Sequence, residues 1–145
     1  MQRAIVGVAA ALLMAAVAEE PPVIQPKDLA ARLQTKGAQP VMLYVGFAVL
    51  YRHKHIPSSI YVGPASRAEG LSALKTAAAG LPRDVEVILY CGCCPYDQCP
   101  NVKPATALLK KMGFTRVKTL MIPTNFAADW IDHGYPVEAG SALPK

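Results

Sequence analysis

Apolar residues along this chain gather in two rhythms. In the first they form short blocks rich in β-branched and aromatic residues: 41–45 (VMLYV), 59–62 (SIYV), 85–90 (VEVILY) and 116–120 (RVKTL). Blocks of this length suit strands, and those apolar throughout suit strands covered on both faces. In the second rhythm apolar positions recur every three or four residues, as on one face of a helix. Residues 26–36 carry Leu29, Ala30 and Leu33 in this way, with Pro26 near the start and Gly37 after the end. Residues 48–53 form a shorter candidate. A further helix opens at Ser66, where Glu69 three residues on completes a capping box. Leu71 and Leu74 continue it, and Gly80 with Pro82 stops it. Residues 102–112 present Ala105, Leu108, Leu109 and Met112 on one side. Asn101 stands as the candidate cap, Pro104 lies in the first turn and Gly113 follows the end. Residues 125–132, with Phe126 and Trp130 four apart, make the last helix. Strands alternating with helices predict an α/β fold: a central, mainly parallel sheet flanked by helices.

The first residues follow a different pattern. Arg3 precedes an apolar, Ala-rich run over 4–17, and Ala16-Val17-Ala18 is an A-x-A site followed by Glu19 and Glu20. That order predicts a secretory signal peptide over 1–18 with cleavage after Ala18. The run is shorter than the roughly 20 residues a membrane-spanning helix needs. The expected organisation is therefore a signal peptide at 1–18, a Pro-rich linker at 19–25, one domain at 26–140 and a polar tail at 141–145. The mature protein is expected to be periplasmic or secreted, without a membrane association after cleavage. The net charge of +5 comes from scattered residues such as Lys27, Arg52, Lys54, Arg83, Lys110 and Lys111, not from a run. This argues against a nucleic-acid partner.

Composition changes the picture at one place. All four cysteines, Cys91, Cys93, Cys94 and Cys99, lie between the strand at 85–90 and the helix at 102–112. Loops that join the carboxyl end of a strand to a helix are where open α/β sheets carry their chemistry. The helix amides favour negative charge there, such as a thiolate. In an exported protein, cysteines usually signal disulfides. Bridges within so short a loop remove little chain entropy, so a structural staple is a weak reading and thiol chemistry a stronger one. At least one disulfide is still expected in the resting protein, involving Cys94 or Cys99. Cys91 and Cys94 also form a C-x-x-C, a redox spacing. The C-x-C-C-x4-C pattern is not the paired spacing of strong zinc motifs, and no metal or cofactor is expected. Lys103, in the helix's first turn, is the candidate anion-binding residue. His55 reads as a buried turn residue, His53 and His133 as surface residues, and Phe126 and Trp130 as core.

The order of these features resembles the single-domain rhodanese-like family. Tyr51 with His55-Ile56-Pro57-Ser58-Ser59-Ile60 is similar to its Y-x-x-G-H-I-P-G-A-I signature, with Lys54 and Ser58 in place of glycines. Val87-Ile88-Leu89-Tyr90-Cys91, the helix and strand from Ala105 through Phe114 to Val117, and Trp130 with Gly134-Tyr135-Pro136-Val137-Glu138 are similar to its remaining motifs. Two departures stand out. Tyr44-Val45-Gly46 occupies the place of the family's Asp-Val-Arg, and the stretch from Cys91 to Gly113 is longer than usual.

The resemblance implies a sulfurtransferase that carries sulfane sulfur as a persulfide on Cys91. Its partners would be a small sulfur donor, such as thiosulfate or a persulfide, and a thiol or cyanide acceptor. Cys93, Cys94 and Cys99 are then loop residues able to resolve the persulfide or form disulfides. The alternative is a non-catalytic domain that uses the same four cysteines to sense redox state or bind a metal. The family's phosphatase relatives need an arginine near the end of the loop, and none lies between Cys91 and Lys103.

Overall fold

The computed structural model describes residues 22–140. The expected signal peptide at 1–18 and the tail at 141–145 lie outside the described residues. Five strands form one parallel sheet: β1 (Val23–Ile24), β2 (Val41–Tyr44), β3 (Ile60–Tyr61), β4 (Val87–Tyr90) and β5 (Val117–Leu120), in the order β1-β5-β4-β2-β3. Helices α1 (Pro26–Leu33), α2 (Ala48–His53), α3 (Ala68–Ala78) and α4 (Val102–Lys111) connect them. The expected α/β architecture is thus the observed one.

The sheet separates two cores because strand residues alternate between faces. Leu43, Val45, Val87, Leu89 and Val117 pack with α3 and α4. Met42, Tyr44, Ile88, Tyr90 and Leu120 pack with α1, Tyr51 of α2, Phe126 and Trp130. β4 is the middle strand, and all its residues are buried. The chain runs outward from β2 to β3, then returns to place β4 on the other side of β2. The carboxyl ends of β2 and β4 therefore border the sheet's topological switch point, where a crevice forms.

Three details differ from the sequence reading. The segment read as a linker supplies β1, which pairs with β5 through Val23 and Thr119. Two residues of strand carry no readable period. α3 begins at Ala68 without a side-chain cap, so Ser66 and Glu69 form no capping box. The Ser66 N–H is bonded instead to Asn101 Oδ1 at 2.9 Å. Gly70 in the first turn of α3 is required, since a Cβ there would lie 2.0 Å from the Pro64 carbonyl oxygen. The last helix is a π-helical turn, Ala127–Ile131. Its start is held by Asn125 Oδ1, which accepts from the Ala128 N–H, and by Asp129 Oδ2, which accepts from Thr124 and Asn125.

The Tyr51 to Glu138 region closes the α1/α2 side. His55 is buried, donates from Nδ1 to the Tyr51 carbonyl at 2.8 Å and stacks on the Tyr51 ring. Its backbone exchanges hydrogen bonds with Glu138. It serves as a turn residue, as expected. Trp130 is fully buried and donates from Nε1 to the Pro136 carbonyl at 2.9 Å. At the amino-terminal end of the sheet, buried Glu86 fastens α1 to β5 through Arg32 at 2.6 Å, Lys118 at 3.0 Å and Arg116 at 3.4 Å.

Candidate active site

Cys91 is the first residue beyond β4 and is 4 % exposed. It continues the alternation of Val87 and Leu89, so its side chain lies in the α3/α4 core. Across the crevice, just past β2, stands Gly46. A Cβ at Gly46 would lie 2.9 Å from Cys91 Sγ and 2.9 Å from Tyr44 Oη. The glycine at this position has a steric cause: the cysteine sulfur and the Tyr44 hydroxyl fill the space. Burial, reinforced by neighbouring Cys91, Tyr90 and Cys93, pushes the Tyr44 phenol well above its ordinary range and keeps it protonated. Its hydroxyl donates to the Phe47 carbonyl at 3.4 Å.

Beyond Cys91 the chain folds tightly back. Gly92 passes under Tyr44, and a Cβ there would meet Tyr44 Oη at 3.2 Å and Phe126 Cβ at 3.4 Å. Two backbone hydrogen bonds pin the loop to the segment after β5: Phe126 N–H to the Gly92 carbonyl at 3.4 Å, and Tyr96 N–H to the Ile122 carbonyl at 2.7 Å. A 3-10 turn, Tyr96–Gln98, then returns Cys99 to the interior. The result is a cluster of thiols. The sulfurs of Cys91 and Cys93 are 3.4 Å apart, and those of Cys93 and Cys94 are 3.1 Å apart. All three lie within 4.8 Å of one another. Cys99 is buried beside this trio, where it interacts electrostatically with Cys91 and Cys94. All four cysteines are free thiols.

The electrostatics sort the four thiols. Cys99 is held far up, first by the neighbouring Cys91 thiol and second by burial. Burial and the hydrogen bond to Cys94 push Cys93 up to about 11, and burial also raises Cys94. Cys91 accepts a hydrogen bond from Asn101 Nδ2 at 3.5 Å. Asn101 is fully buried and spans two elements, because its Oδ1 accepts from Ser66 while its amide nitrogen faces Cys91. It therefore makes no side-chain cap on α4. The backbone N–H groups of Asn101 and Val102, at the start of α4, act on Cys99 and oppose the rise of its thiol.

The structure thus brings together every cysteine singled out from the sequence. Lys103 is not among them; it is exposed on the first turn of α4. Sequence reasoning missed Gly46, Asn101 and Tyr44 as site residues. Asn101 carried a signal, a polar residue at a helix start, but its side chain serves the loop rather than the helix. A cavity of about 280 Å³ opens beside the loop, lined by Tyr44, Leu50, His53, Lys54, Cys93 and Phe126 among others. Cys93 borders this cavity and Cys91 lies behind it. A larger groove between β3 and α3, about 820 Å³, is lined by no cysteine.

No family model matches the sequence, and neither does any curated protein. Solved structures do match the fold. The rhodanese-like domain of the Alr3790 protein from Anabaena sp. superposes with a TM-score of 0.61 at 21% identity, covering 87% of this chain and 86% of that one. A thiosulfate sulfurtransferase from Pseudomonas aeruginosa gives a TM-score of 0.61 at 22% identity, with 85% of this chain matched to 21% of that one. The Saccharomyces cerevisiae single-domain sulfurtransferase RDL2 gives 0.59 at 15% identity, covering 81% and 94%. The fold is rhodanese-like.

Proposed function

We propose that the protein is a sulfurtransferase that carries sulfane sulfur on Cys91. The observation that carries this reading is the position of Cys91: directly after the middle strand, at the switch point, with Asn101 Nδ2 as a donor to its sulfur. Fold similarity to sulfurtransferases supports it at the level of class. In the reaction, the Cys91 thiolate attacks the outer sulfur of a donor such as thiosulfate. The S–S bond of the donor breaks, sulfite leaves with the electron pair, and Cys91 becomes a persulfide. An acceptor thiolate or cyanide then attacks the outer sulfur of the persulfide and restores the Cys91 thiolate.

The neighbouring thiols offer a second exit. Cys93, the thiol nearest the cavity, attacks the inner sulfur of a Cys91 persulfide to form a Cys91–Cys93 disulfide and release hydrosulfide. This step makes Cys93 the resolving residue, in place of Cys94 or Cys99, because its sulfur is 3.4 Å from that of Cys91. The leader-like residues 1–18 support an exported, oxidising setting in which such a disulfide persists.

Mass spectrometry of the reduced full chain, incubated with thiosulfate or with a small-molecule persulfide, tests the reading. The expected result is a gain of one sulfur on Cys91, lost on addition of cyanide, and abolished in Cys91→Ser. Undiminished loading in Cys91→Ser, or no loading from either donor, overturns it.

A further inference from the structure

We infer that the loop is a binding site for a thiophilic d10 metal ion, with Cys91, Cys93 and Cys94 as ligands and Cys99 as the adjacent fourth thiol. The inference goes beyond sulfur transfer and does not depend on it.

The geometry is the first argument. A zinc–thiolate bond is about 2.3 Å, so sulfurs around one ion stand roughly 3.8–4.0 Å apart in tetrahedral or trigonal arrangements. Here the closest pairs are 3.1 and 3.4 Å apart and the whole trio fits within 4.8 Å. The required spacing falls inside this range, and small side-chain torsions convert one into the other. The linear spacing of the cysteines gave no such signal. The fold creates the cluster, through the tight passage at Gly92 and the backbone bonds at Phe126 and Tyr96.

The donor chemistry is the second argument. The clustered ligand atoms are all sulfur, with no carboxylate or imidazole among them. Such a set favours Cu(I) or Zn(II) over magnesium, calcium or manganese. Among the described residues, no Lys, Arg or His is ion-paired or hydrogen-bonded to any of the four sulfurs. Thiolates packed this closely repel one another, and a cation between them removes that repulsion.

The surroundings are the third argument. Metal-bound thiolates are steadied by outer N–H donors. Asn101 Nδ2 supplies one to Cys91, and the amides of Asn101 and Val102 supply two to Cys99. The cavity bordered by Gly92 and Cys93 provides a path from solvent. Binding replaces the thiol protons by the ion and involves no electron transfer. A bound ion also occupies the lone pair that Cys91 would use on a sulfur donor, so metal and persulfide exclude each other.

The test is an anaerobic titration of the reduced full chain with Zn(II), and separately with Cu(I), each against a competing chelator of known affinity. Native mass spectrometry gives the stoichiometry. One ion per chain is expected in at least one arm. Binding of Cu(I) alone supports a three-thiolate centre, and binding of Zn(II) supports participation of Cys99. Cys93→Ser and Cys94→Ser should each weaken binding by roughly 10–100-fold or more. Both side chains are only partly buried, and circular dichroism will verify that the variants fold. Asp97→Asn should bind like the parent. Failure of both ions to bind stoichiometrically, or equal binding by the parent and both serine variants, overturns the inference. Sulfur loading of the metal-free protein is measured separately, so either reading can fail without the other.

Discussion

Replacing Gly46 by alanine tests the close approach on which the site's geometry depends. The added methyl would stand 2.9 Å from Cys91 Sγ and 2.9 Å from Tyr44 Oη. Ordinary contacts between such atoms are roughly 3.5–4.0 Å, so the shortfall is about 0.6–1 Å. Neither neighbour retreats easily. Tyr44 lies in β2 and Cys91 directly follows β4, and the Val45 N–H bonds the Tyr90 carbonyl between them at 2.9 Å. Overpacking of this kind costs about 1–3 kcal/mol. For a domain of this size each kcal/mol lowers Tm by about 4 °C, so the expected fall is about 4–12 °C. Any shift of the sulfur also disturbs its hydrogen bond from Asn101 Nδ2, at 3.5 Å. Displacements near 1 Å at a reacting atom cost up to about 100-fold in rate. We therefore expect sulfur loading of Gly46→Ala to slow by roughly tenfold or more. The control is Gly37→Ala, where a Cβ meets nothing within 4 Å. Thermal unfolding and time-resolved mass spectrometry read the two effects. A Gly46→Ala protein that melts and loads sulfur like Gly37→Ala would refute the close approach.

Two further predictions concern the scaffold. Ser58 has φ +61°, the left-handed region that favours glycine, so Ser58→Gly should raise stability by about 0.5–1 kcal/mol in denaturant unfolding; an unchanged or lowered midpoint counts against it. The hydrogen bond from Arg32, assisted by Lys118, holds the Glu86 carboxyl down at about 2 against an ordinary 4.5. A carboxyl lowered on folding stabilises the fold fully above pH 4.5 and loses that contribution as pH falls toward 2. Allowing for solvent on the Arg116 and Lys118 side, this amounts to about 2 kcal/mol. Glu86→Gln should therefore unfold more readily than the parent at pH 7, with the gap narrowing through that acid window; a constant gap would contradict the assignment.

The scaffold was readable because its signals are local and redundant. Residues 41–45 and 85–90 are too short and too apolar to be anything but buried strands, and β2 and β4 lie within them. Gly113, at φ +92°, ends α4 where a left-handed residue is required. The misreadings share one cause: a local motif lost to a distant partner. Ser66 and Glu69 have the spacing of a capping box, but the backbone of Ser66 is claimed by Asn101, thirty-five positions away. The linker became β1 because β5 offered an open edge, which no property of Val23 or Ile24 announces.

The site divides in the same way. That Cys91 ends the strand and that three more thiols follow it could be read from the chain alone. What they do to one another could not, because it depends on how the lengthened loop folds back. The sequence reading assigned the amides of α4 to Cys91, as a shorter loop would require. In the structure those amides act on Cys99, eight positions later, and the Asn101 side chain donates to Cys91. This separates two roles that one cysteine would otherwise combine. Cys91 takes the position at the strand end, and Cys99 lies at the amides of the helix terminus. Cys93, bordering the cavity, stands between solvent and the buried sulfur. Any donor, acceptor or metal ion that reaches Cys91 by this route meets Cys93 first, so the chemistry of this loop belongs to a set of thiols rather than to a single nucleophile.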